Sequence, residues 1–175
     1  MKKIFSFYFI AVLFLFSLTS CNRLKPAGFW YNFQSKDISY KESDHGPWGG
    51  HTAILWHSKH IGHFATETAL DFAKENGWIF VDSTQVAKLI VNGWVYNEKN
   101  IFPLSYSDTF RPHVISFSAT FAHFPRQINT EMTVYRFKTG WISIHAETTQ
   151  AEEINGFLTM SMDKKEMAIY HKWGE

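Results

Sequence analysis

The last third of the chain alternates between apolar and polar residues, and that alternation restricts it to half-buried strands. From Val114 onward, Ile115, Phe117, Ala119 and Phe121 interleave with Ser116, Ser118 and Thr120, which puts every apolar side chain on one face of an extended segment. Met132 to Lys138 and Trp141 to Thr148 flank Thr139-Gly140, which reads as a tight turn. Phe157 to Met162 and Glu166 to Trp173 flank Asp163-Lys164-Lys165. Strands this short and this closely spaced predict an antiparallel meander of about five strands.

The first half reads differently. Phe29 to Tyr40 mixes aromatics with polar residues and suits one or two strands. Ser43 to Gly50, dense in glycine and proline, reads as a loop. Thr52 to Trp56 is a buried strand. The clearest helix is Phe64 to Asn76: Ala65, Ala69, Phe72 and Ala73 share one face, Glu67, Asp71 and Glu75 line another, and Gly77 sits where a left-handed cap is wanted. Trp78 to Val81 follows as a strand. Gln85 to Val91 fits either a short helix capped by Ser83 or, the preferred reading, the first arm of a hairpin turning at Asn92-Gly93. Gly-Trp-apolar recurs at Gly77, Gly93 and Gly140 with uneven spacing, as turn glycines followed by strand-opening aromatics do. A helical unit followed by continuous strands predicts a single α+β domain, with one main helix packed on a predominantly antiparallel sheet.

Cysteine occurs once among 175 residues, at Cys21, so intrachain disulfides are excluded. Lys2 and Lys3 precede Ile4 to Leu18, an uncharged run too short to span a bilayer, which needs about 20 residues. A basic start, a short apolar core and small residues before a cut form an export signal. Leu18-Thr19-Ser20-Cys21 resembles the lipobox of bacterial lipoproteins. That resemblance implies a diacylglycerol thioether on Cys21, cleavage before it, and further acylation, such as palmitate, on the freed amine. Several chains anchor stably where one holds only marginally. Asn22, in place of Asp, resembles the outer-membrane class of enterobacterial lipoproteins. The implied location is the periplasmic face of the outer membrane, in a host with two membranes. The expected organisation is a cleaved signal over 1–20, a lipidated tether over 21–28 and one domain over 29–175.

The mature chain would carry 15 basic and 16 acidic residues, which gives no electrostatic case for nucleic acid. Histidine is enriched: His45, His51, His57, His60 and His63 fall within 19 residues. His57, His60 and His63 are therefore the candidates for a metal site, because three imidazoles with an open position can hold zinc. No HExxH motif accompanies them, and no GxSxG elbow, Walker loop or dinucleotide fingerprint occurs. Of 31 aromatic residues, 25 lie beyond the signal, including all seven tryptophans. Most belong in the core of a domain without disulfides. Trp48 and Trp173 are the expected exposed exceptions, where a ring can anchor a partner.

These features together predict a non-catalytic, lipid-anchored binding, assembly or inhibitor protein facing the periplasm. Its partners would be the bilayer and an envelope protein or peptidoglycan, and it would need no cofactor beyond the lipid on Cys21. The alternative is a metal-dependent enzyme or metal carrier using His57, His60 and His63.

Overall fold

The computed structural model describes residues 26–88, 95–96, 99–100, 130–144 and 151–174. Two 3-10 turns, Gly28–Asn32 and Ser35–Asp37, lead into β1 (Ile38–His45) and β2 (Gly49–His57). Helix α1 (Thr66–Glu75) and β3 (Ile79–Val86) follow. A small two-stranded ladder pairs β4 (Val95–Tyr96) with β5 (Lys99–Asn100), and β6 (Met132–Ile144), β7 (Ala151–Ser161) and β8 (Glu166–Gly174) complete the chain. The fold is α+β: one helix on a six-stranded sheet of order β1-β2-β8-β7-β6-β3, whose neighbouring strands all pair antiparallel. Consecutive β6, β7 and β8 form the C-terminal meander.

The helix ends as its sequence dictates. Gly77 takes φ 88°, donating its N–H to Lys74 O at 3.0 Å, and Trp78 N–H reaches Ala73 O at 3.0 Å. These two bonds close a Schellman cap, which leaves Trp78 buried as the hydrophobic residue after the turn. Ala69 and Ala73 are buried, while Glu67, Asp71 and Glu75 form a solvated face.

Trp30 organises the core beneath α1. Its ring lies 5.3–6.1 Å from those of Phe29, Phe33, Trp56, Phe72 and Trp78, and Trp56 Nε1–H donates to Phe33 O at 2.8 Å. With no cross-link available, this aromatic cluster ties the 3-10 turns, helix and sheet together.

Three sequence expectations need correction. Thr139-Gly140 does not turn the chain: β6 runs through it, and Gly140 at φ 79° forms an irregularity in the β6–β7 ladder between Lys138 and Ser143. A bulge and a turn both need a left-handed glycine, so the residue alone does not separate them. Phe29 to Asp37 is 3-10 turn, not strand, and the loop expected over Ser43 to Gly50 shrinks to Gly46–Trp48. Gln85 and Val86 are strand, the last residues of β3, and the segment beyond Lys88 lies outside the described residues. Pro26 and Ala27, assigned to the tether, are buried. The Val114–Phe121 alternation and the Asn92-Gly93 turn lie outside the described residues.

Candidate functional site: the aromatic end of the sheet

The six strands of the main sheet each place one terminus towards a common end: His45 of β1, Gly49 of β2, Ile79 of β3, Ile144 of β6, Ala151 of β7 and Gly174 of β8. The registers Gly49↔Gly174, His45↔Gly50 and Ser143↔Gly174 join these termini. Here Trp141 and Trp173 pack with ring centroids 5.1 Å apart, and His45 stacks on Trp173 at 6.3 Å. Trp48, 78% exposed, tops the β1–β2 turn. Close approach explains the glycines around it, since a Cβ on Gly174 would stand 2.0 Å from Trp48 O, and one on Gly50 would stand 2.1 Å from Asp44 O. Six of the nine exposed large apolar residues among those described gather towards this end: Trp48, Ile79, Phe80, Val81, Trp141 and Ile142.

Behind the indoles lies a buried polar network. Asn155 Nδ2–H donates to Trp141 O at 2.8 Å, so its Oδ1 is the acceptor for the Thr139 hydroxyl at 2.7 Å. Thr139 has then spent its only proton, and the 3.0 Å contact to His171 must be Nε2–H donating to Thr139 Oγ1. His171 is thereby fixed as the Nε2–H tautomer with a bare Nδ1. That atom, Ser143 Oγ and Trp173 Nε1 have no hydrogen-bond partner among the described residues. Burial pushes the His171 imidazole down to about 3, and the charge of His45 acts in the same direction. His171 is therefore neutral at physiological pH. Gly156 makes room for the network: a Cβ there would meet Thr139 Cγ2 at 2.6 Å and Trp78 Cζ3 at 2.9 Å.

The enriched histidines do not converge. His57 Nε2 pairs with Glu166 Oε1 at 3.1 Å across the β2–β8 ladder, and His51 Nε2 with Glu42 Oε1 at 3.3 Å. His60 Nδ1 contacts Asp37 Oδ1 at 3.0 Å, and His63 is exposed. Asp37 is 2% exposed and also accepts the backbone N–H groups of Lys59 and His60 at 2.7 and 2.9 Å. Burial pushes the Asp37 carboxyl up, but the hydrogen bonds from His60 and Lys59 outweigh it and hold the group below the usual carboxylate range. Asp37 thus shapes the loop after β2, and His60 is part of that scaffold. No three His, Cys, Asp or Glu side chains among the described residues come together as a metal site does.

No family model, curated protein or solved structure matches the chain. Its function has to be read from its own surfaces.

A groove of about 460 Å³ lies between α1 and the start of β3, lined by Leu70, Asp71, Lys74, Trp78, Ile79 and Phe80. Asp71 and Lys74 are its charged side chains, and they stand exposed on the helix. Ser43 Oγ contacts His45 Nε2, but on an edge strand open to solvent and not in a cleft that excludes water. Of the residues singled out from sequence, Trp48 and Trp173 are brought to the same end, Trp173 half-buried against Trp141. Trp141 and the Thr139–Asn155–His171 network escaped sequence reasoning. Trp141 follows a glycine like the other two Gly-Trp pairs, and only the ladder reveals that it stands at an open end.

Proposed function

We propose that the protein is a lipid-anchored, non-catalytic component of the bacterial envelope that works by binding, with the aromatic end of the sheet as a contact surface. One observation carries the binding part: exposed tryptophan, phenylalanine and aliphatic side chains collect at one end of the sheet. A soluble monomer rarely leaves such an apolar patch unused. The anchoring part rests on the lipobox at Cys21 and on the short apolar segment before it. The partners this reading allows are the bilayer, an envelope protein whose assembly or activity the domain modulates, and peptidoglycan, whose sugars stack on indoles.

Replacing Cys21→Ser tests the anchor. Acyl labelling is lost and uncut precursor accumulates; labelling that survives the substitution refutes the assignment. Crosslinking from native membranes tests the binding. A specific envelope protein or glycan adduct supports this reading. Stoichiometric metal in the purified protein, lost in a His57→Ala, His60→Ala, His63→Ala variant, replaces it with the metal-dependent alternative.

A further inference from the structure

The route by which the chain enters the domain orients it relative to its anchor. Pro26 O accepts a hydrogen bond from Thr52 Oγ1 at 3.3 Å. Thr52 is three residues from Gly49, about 10 Å along the strand from the aromatic end. From there the chain runs away from that end: Trp30 and Phe33 lie against Trp56, and Asp37 reaches the loop beyond His57. The described chain therefore begins nearer to the end that carries Trp48, Trp141 and Trp173 than to the end at His57. Four residues lie between Cys21 and Pro26, and the five residue steps give a covalent reach of at most about 18 Å. A lipid on Cys21 therefore holds Pro26 close to the headgroups, and the end of the sheet nearer to the anchored Pro26 is the aromatic one.

The side chains there suit a membrane interface. Indole rings settle at headgroup level because one edge is apolar and the other carries an N–H donor. Ile142 follows Trp141 in β6, and Ile79, Phe80 and Val81 lie on the neighbouring edge strand β3, all exposed. Lys138 at this margin is paired with Glu153 at 2.6 Å, and the large exposed side chains around it are apolar. We propose that the aromatic end, led by Trp48 and Trp141, seats in the interfacial layer of the bilayer that holds the acylated Cys21. The domain then lies on its membrane, with the His57–Phe64 loop and the β7–β8 turn pointing away into the aqueous compartment. This rests on the anchoring proposed above.

The test uses the acylated protein purified from native membranes and reconstituted in vesicles of phosphatidylethanolamine and phosphatidylglycerol, with or without bromine on the acyl chains. The expected result is bromine-dependent quenching of tryptophan fluorescence that is insensitive to salt. Most of it is lost in a Trp48→Ser, Trp141→Ser double variant, whereas Trp30, Trp56 and Trp78, deep in the core, contribute none. Should the double variant misfold, Trp48→Ser alone still removes a measurable share, because that side chain packs least. A Gly/Ser insertion of about 20 residues after Asn22 frees the domain from its short leash. Quenching that persists in the insertion variant supports an intrinsic membrane surface. Quenching that disappears there, or is absent from the acylated parent, overturns the proposal. So does a photocrosslinker at position 141 that captures protein in place of lipid. An unacylated amino terminus, read by intact mass, overturns the anchoring instead. Quenching of that protein after mixing with the same vesicles then scores the surface separately.

Discussion

The neutral, buried His171 makes folding stability depend on pH in a predictable direction. Its folded pKa of about 3 lies below the ordinary 6.5, so the unfolded chain binds the extra proton between those values. Stability is then full above pH 6.5 and falls as the pH drops towards 3. Between pH 7 and pH 5 this single group removes about 2 kcal/mol, approaching about 1.4 kcal/mol per further pH unit. Other titrating groups contribute too, so the informative quantity is a difference between two proteins. His171→Gln retains an N–H donor for Thr139 and does not titrate. Urea unfolding of both proteins at pH 7, 6 and 5, with m-values checked for constancy, isolates the term. The wild type loses about 2 kcal/mol more than the variant across that range. Parallel profiles would refute the argument, because they require His171 to be protonated as easily inside the protein as outside it.

Three further substitutions examine the packing of the domain. Gly156→Ala pushes a methyl into Thr139 and Trp78, and urea unfolding should report a loss of about 1–3 kcal/mol. Trp56→Phe leaves Phe33 O without its buried donor; a loss of about 1–3 kcal/mol in the same assay is expected, and no loss would mean that water replaces the indole. Asp37→Ala strips two backbone amides of their acceptor, costing at least about 2 kcal/mol, and amide exchange at Lys59 and His60 should accelerate before exchange in β2 does. Because the Asp37 carboxyl is held below 3.8 in the folded protein, its contribution is present above that pH and fades as the pH falls through the folded value.

Helix α1 was legible to within two residues because three independent signals coincide: alanines at helical spacing, an acidic stripe, and a glycine at the left-handed position. The strands of the meander were legible because their periodicity is local. Thr139-Gly140 misled for a physical reason. A bulge and a turn ask the same of the backbone at one residue, and only the long-range pairing of β6 with β7 tells them apart. The histidine segment misled in a similar way, because proximity in sequence says nothing about where a loop side chain points. Asp37, which gathers Lys59 and His60, is more than 20 residues upstream. Trp48 was visible as an exposed ring because it sits in a glycine-rich turn. Its convergence with Trp141 and Trp173 depends on strand order β2-β8-β7-β6, which no local pattern encodes.

The membrane anchor depends on the state of Cys21. Intact-mass spectrometry of the protein extracted from its native membranes reads that state directly. The predicted species begins at Cys21 and carries a diacylglycerol together with an amide-linked acyl chain. A species that still begins at Met1, or one that begins at Cys21 without lipid, contradicts the account.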